Sequence, residues 1–239
     1  MLVLALDTST FLGTVAVLRD GSLLAELSAS VRASHGETLL PHVERVLTHA
    51  GVKLAELDLL AVGIGPGSFT GVRIGVATAK GLALAEQKPL VGVTSLRTLA
   101  RGMGHGVGLA VPVLDAHKGE VYCAAYARDE HADLVEVVAP FHALPADAAQ
   151  YLRAAVPEER LWLAGDGLDR YGDALLAPLG KLVQRSPRFC DVPRAACLAH
   201  EAALLFERAG APELATLEPL YLRPSDAKLP GGLPLVPME

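Results

Sequence analysis

Aromatic side chains make up 5% of this 239-residue chain, with a single Trp, so its core is expected to be built mostly from Val, Leu and Ala. Cysteine is scarcer still. Cys123, Cys190 and Cys197 are too few for a disulfide framework, and none stands in a Cys-x-x-Cys pair of the kind that holds structural zinc. Positive charge is in deficit, with 21 Lys and Arg against 27 Asp and Glu and a net charge of −6. That balance lacks the electrostatic footprint of a dedicated nucleic-acid binder; if the chain works on nucleic acid, another subunit is expected to hold it. No run approaches the ~20 apolar residues of a membrane span. The opening Met1-Leu2-Val3-Leu4-Ala5-Leu6-Asp7 has no basic segment and reads as a strand, not a signal peptide. The expectation is a cytoplasmic protein without a membrane segment.

Half of the residues are hydrophobic and a fifth charged, enough for one large domain or two lobes. Strands are expected at Leu2–Leu6, Thr14–Leu18 and Leu23–Ser28, with Asp20-Gly21 as a hairpin turn. Leu39, Leu40, Val43, Val46 and Leu47 then follow the helical i, i+3, i+4, i+7 pattern in a helix opening near Gly36. Leu59–Val62 and Leu90–Val93 are further strands, and Ser95 is expected to cap a helix to about Ala100. A strand meander followed by alternating helices and strands gives a mixed α/β sheet. The glycine-rich stretch 101–108 reads as a linker. A second lobe follows, with strands at Leu109–Leu114, Glu120–Tyr126 and Leu161–Ala164 and helices at about Ala146–Ala155 and Tyr171–Leu176. The expected division is an N-terminal lobe over 1–102, a second lobe over 103–193, a helix and segment returning to the first lobe over 194–223, and an extended, proline-rich tail over 224–239.

The most distinctive run is Gly63-Ile64-Gly65-Pro66-Gly67-Ser68-Phe69-Thr70-Gly71-Val72-Arg73-Ile74-Gly75. It is not a Walker A loop, because Val72-Arg73 stands where Lys and Ser or Thr are needed. Nor is it a dinucleotide fingerprint, because Thr70 holds the third glycine position. Ser68 is expected to cap a helix from Phe69 to about Ala85. Within that helix Gly71, Gly75, Ala79 and Ala83 recur every four residues and form one stripe of minimal side chains. The stripe suits either tight packing on the protein's own sheet or a helix–helix interface with a second protein. On the second view, Gly75→Leu spares the fold and blocks assembly.

Other clusters are weaker. Asp7-Thr8-Ser9-Thr10 ends the first strand, where sheets of this type bind ligands, yet no glycine follows until Gly13, and the hydroxyls suit turn backbone groups. His35, His42 and His49 stand at i and i+7, roughly 10 Å apart along a helix axis, too far for one ion with ~2 Å bonds. Leu39 occupies the i+4 position from His35. His35 is read as a helix-start residue, and His42 and His49 as surface or partner-facing groups. Asp115-Ala116-His117-Lys118-Gly119-Glu120-Val121-Tyr122 has an acid–base repertoire but reads foremost as a solvated hairpin. No metal or cofactor is expected.

Five stretches in order carry a resemblance: Asp7-Thr8-Ser9-Thr10; His35-Gly36-Glu37-Thr38-Leu39-Leu40-Pro41; the run from Gly65 to Gly75; Asp115-Ala116 with Gly119-Glu120-Val121-Tyr122; and Pro219-Leu220-Tyr221-Leu222-Arg223. Together, from residue 2 to about 223, they resemble the TsaB (YeaZ) family. The resemblance implies a two-lobed fold of the actin, sugar-kinase and heat-shock-chaperone (ASKHA) type, with mixed sheets flanked by helices. It implies a non-catalytic partner of the TsaD catalytic subunit, with the TsaE ATPase joining the assembly. Their product is threonylcarbamoyladenosine beside the anticodon of tRNAs that read codons starting with A, and tRNA is met only through the complex. TsaD carries a metal-binding His-x-x-x-His and an intact nucleotide site; here Leu39 breaks the first pattern, and the nucleotide-loop glycines are missing. His117 also stands where the family often has Arg. The expected docking surface comprises His35, Leu39, His42, Val46, Ser68, Thr70, Gly71, Arg73, Gly75 and Ala79, shared with a homodimer when the partner is absent. A peptidase-like hydrolase and a small-molecule kinase of the same fold are the competing readings.

Overall fold

The computed structural model describes residues 1–30, 35–103 and 108–223; the expected tail at 224–239, and the middle of the glycine linker, lie outside them. The chain opens with β1 (Leu2–Asp7), β2 (Leu12–Arg19) and β3 (Ser22–Ser30), joined as an antiparallel meander. Arg19 pairs with Ser22 across a two-residue turn, whose Asp20 and Gly21 have φ of 49° and 76°. Positive φ at both positions gives the twist that a tight hairpin requires. β4 (Leu59–Gly63) and β5 (Leu90–Val93) add in parallel, giving the order β3-β2-β1-β4-β5.

The second sheet repeats this plan. β6 (Leu109–Asp115), β7 (Val121–Arg128) and β8 (Leu134–Ala143) form the meander, and β9 (Leu161–Ala164) and β10 (Val183–Arg185) extend it in parallel. The order is β10-β9-β6-β7-β8, so β6 stands in the second lobe where β1 stands in the first. The two central strands both end in an aspartate, Asp7 and Asp115. Neither β8 nor β10 is foreseen from the sequence. β8 is an edge strand, where Pro140 is tolerated, and β10 has three residues.

Six α-helices complete the described fold: α1 (His35–Ala50), α2 (Phe69–Glu86), α3 (Ser95–Gly102), α4 (Pro145–Ala155), α5 (Gly167–Leu179) and α6 (Ala195–Ala209). α1 and α2 bury Leu39, Val43, Val46, Val72, Val76 and Ala79 against one face of the first sheet. α6 covers the opposite face with Ala195, Leu198, Ala199 and Ala202. α4 and α5 cover one face of the second sheet, and α3 covers the other through Leu96, Leu99 and Ala100. α3 thus packs on the second sheet although it precedes that sheet in the chain. Its N-cap is Thr94, not Ser95: the Thr94 hydroxyl accepts from Arg97 N at 3.2 Å, one residue earlier than the sequence suggests.

Between the sheets α3 meets α6 around a buried carboxylate. Glu201 is fully buried and accepts from Arg97 Nε at 2.5 Å and from Arg101 Nε. The same arginines reach the second lobe, where Leu134 O accepts from Arg97 at 2.9 Å and Ala132 O from Arg101 at 2.7 Å. A buried carboxylate persists when its charge and lone pairs are met in this way. Among the described residues no helix is long and apolar enough to cross a membrane.

Candidate partner interface

The glycine-rich run folds back onto the end of β1. Ser9 O accepts from Ser68 N at 2.7 Å, and Gly71 O accepts from the Thr8 hydroxyl at 2.7 Å. Ser68 caps α2 as expected, its Oγ accepting from Gly71 N at 3.2 Å. The contact is so close that a Cβ on Gly71 would stand 2.1 Å from Thr8 O, and one on Gly75 2.4 Å from Thr8 Oγ1. The small stripe therefore faces the protein's own sheet. Gly71, Gly75, Ala79 and Ala83 are all buried there, and so are Leu39 and Val46 of α1. This placement corrects the expectation that these side chains meet a second protein, and with it the expectation that Gly75→Leu spares the fold.

The polar groups at the end of β1 are engaged within the turn. Asp7, fully buried, accepts from Ser9 N at 2.7 Å and from Ser9 Oγ at 2.6 Å. Burial holds its carboxyl above the usual carboxylate range, against the opposing pull of those hydrogen bonds. A ring nitrogen of His35, Nε2, stands 3.0 Å from Thr10 O and ties the start of α1 to the same turn. His42 is half-buried on α1, and burial followed by the nearby Arg45 lowers its pKa. Contrary to the sequence-based expectation, neither hydroxyl meets a backbone group of the turn itself: Ser9 Oγ donates to Asp7 Oδ1, and Thr8 Oγ1 donates to Gly71 O in α2.

The corresponding turn of the second lobe is largely open. His117 and Lys118 are exposed, with φ of 59° and 52°, and His117 N donates to Asp115 Oδ1 at 2.8 Å. Asp115 N donates to Asp166 Oδ1 at 3.0 Å, and burial pushes the Asp166 carboxyl up to about 6. Arg223 Nη1 donates to Ala116 O at 3.1 Å. Asp166 is absent from the sequence-based candidates because that reading begins the helix at Tyr171, four residues after α5 starts at Gly167. Among the described residues no group of three His, Cys, Asp or Glu could hold a metal ion.

Large apolar side chains are also exposed on the outward sides of α1 and α2. Leu40, Phe69 and Leu84 are 53%, 46% and 72% exposed, and Thr70, Arg73, Ala77 and Gly81 share the outward side of α2. Large exposed apolar side chains on a helix's outer side are candidates for an interaction surface. Tyr221 joins the group from the far end of the chain, its ring centroid 5.5 Å from that of Phe69. Of the sequence-predicted residues, Thr70 and Arg73 lie on this outward side, and His35, His42 and Ser68 are half-buried beside it. Tyr221 is the addition that only the fold reveals.

Two lobes of repeated topology, each a mixed five-stranded sheet between helices, define a protein of the ASKHA fold. Ethanolamine utilization protein EutJ from Carboxydothermus hydrogenoformans shares that fold at a TM-score of 0.50 and 14% identity, over 82% of this chain and 88% of its own. Residues 24–228 match the family model of TsaD, tRNA N6-adenosine threonylcarbamoyltransferase. The tRNA threonylcarbamoyladenosine biosynthesis protein TsaB of Escherichia coli (strain K12) is 36% identical over 245 residues, covering 97% of this chain and 99% of its own. YeaZ from Pseudomonas aeruginosa superposes with a TM-score of 0.76 at 30% identity, over 92% of this chain and 99% of its own. The chain belongs to the TsaB (YeaZ) family.

Proposed function

We propose that this chain is a non-catalytic subunit that binds and supports TsaD in the threonylcarbamoyl modification of the adenosine beside the anticodon of tRNAs reading A-starting codons. The outward side of α1 and α2 docks TsaD, TsaE joins the assembly, and the same face serves a homodimer when TsaD is absent. tRNA is met only through the complex, in keeping with a net charge of −6. The location is cytoplasmic.

The observation that carries the reading is the division of labour within α2. Its inner side packs on the end of β1 with Gly71 and Gly75 in near-backbone contact, while its outer side leaves Phe69 and Leu84 exposed, as Leu40 is on α1. A helix anchored so closely presents its outer face rigidly, and a preformed apolar face loses little freedom on docking. Light scattering after size-exclusion chromatography tests this, with the chain alone and mixed with its host's TsaD. The reading predicts a dimer that gives way to a mixed complex; a chain that stays apart from TsaD under all nucleotide conditions contradicts it.

A further inference from the structure

Arg73 holds its guanidinium in place before any partner arrives. Its Cζ lies 3.6 Å from the Phe69 ring centroid, one helical turn earlier, and its Nε donates to the Tyr221 hydroxyl at 2.7 Å. Those two contacts leave Nη1 and Nη2, and among the described residues neither meets an acceptor. Arg97, Arg101, Arg185 and Arg194, in contrast, each stand against a carboxylate of the chain itself. The fork of Arg73 is thus a restrained, outward-facing donor pair between two half-exposed rings.

A guanidinium fork matches a carboxylate through two parallel hydrogen bonds, and the ordering already supplied by Phe69 and Tyr221 lowers what docking must freeze. We infer that Arg73 receives a carboxylate of the catalytic subunit in a bidentate pair, with Phe69 and Tyr221 shielding it from water. The inference rests on the reading that this face docks TsaD. A phosphate also fits such a fork, but a chain at −6 repels a nucleic-acid backbone over most of its surface. A second copy offers Glu37 or Glu44, both exposed on α1, yet it brings a second −6 with it.

The test titrates the full-length chain, R73Q and R73K into the host's purified TsaD by calorimetry at low and high salt. Self-association of each is followed in parallel by sedimentation, and retention of host tRNA by gel shift. The expected result is wild-type binding that weakens with salt, roughly 30-fold or greater loss in R73Q, and partial recovery in R73K, whose ammonium lacks the fork. Thermal stability is expected to stay unchanged in both variants, and self-association, which uses the same face, to weaken far less than binding to TsaD. R73Q binding TsaD as tightly as wild type overturns the pairing while leaving the docking reading intact. Wild type failing to bind TsaD removes the docking reading itself. A loss in R73Q confined to self-association assigns the carboxylate to a second copy, and one confined to tRNA retention assigns a phosphate; either overturns the inference.

Discussion

The Thr8 hydroxyl donates to Gly71 O at 2.7 Å, and its oxygen stands 2.4 Å from where a side chain on Gly75 would begin. β1 and α2 are therefore locked at a separation that admits no Cβ. Gly75→Leu is expected to cost about 3 kcal/mol or more, because overpacking here moves a strand against a helix. Gly81 lies on the other side of α2, with open space around its Cα. Gly81→Ala is expected to stabilise by about 0.5–1 kcal/mol through helix propensity. Urea denaturation of the two variants reads both signs in one helix.

Phe69→Ala and Leu84→Arg probe the outward side. Both residues are too exposed, at 46% and 72%, to hold the core together, so stability should change by about 0.5 kcal/mol or less. Binding to TsaD is expected to weaken roughly tenfold or more in each, because aromatic anchors and buried interface centres carry most of the energy of docking. Calorimetric titration measures the loss, and a melting curve separates it from misfolding.

Glu201→Gln addresses the junction of the lobes. The substitution leaves Arg97 and Arg101 without their shared counter-charge beside α6, and loss of a buried partner costs about 3 kcal/mol. Glu201→Leu combined with Arg97→Met and Arg101→Met should recover part of this, since no charge is then stranded. Recovery stays partial because Leu134 O loses its Arg97 donor and Ala132 O keeps only the longer bond from Arg128 at 3.4 Å. Chemical denaturation of the single and triple variants checks the order.

Asp166 gives the protein a pH dependence of opposite sign to a paired surface carboxylate. Its carboxyl is pushed from 3.8 up to about 6, chiefly by burial, so the folded state holds that proton more tightly than the unfolded one. The contribution is most favourable below about pH 4, declines between about 4 and 6, and is flat above. With its partial exposure the decline amounts to about 2 kcal/mol. Asp166→Asn keeps an acceptor for Asp115 N and is expected to stabilise at pH 7–8, with the gain vanishing near pH 4. Thermal denaturation across that range compares the two proteins.

Much of the fold is legible in the sequence because the apolar patterns are clean. The buried runs of β1, β4, β5 and β9, the Asp20-Gly21 turn and the heptad-like spacing of α1 each dictate an element from local chemistry. β8 escapes because its pattern carries Pro140 and solvent-facing valines, tolerable only at a sheet edge. The candidate interface is legible in location more than in detail. The spacing of Gly71, Gly75 and Ala79 identifies a close contact but not its partner, since a sheet and a second helix ask for the same small residues. Tyr221 stands 148 residues from Arg73, and Glu201 looks like any polar position of an amphipathic helix until Arg97 and Arg101 are seen against it.

The most direct test of the central claim is hydrogen–deuterium exchange of the full-length chain with and without its host's TsaD. Docking through the outward side of α1 and α2 predicts slowed exchange at 36–50 and 69–86, together with the segment around Tyr221, and little change at the Asp115–Tyr122 turn. Protection confined to that turn or to the end of β1, with α1 and α2 unaffected, would contradict it.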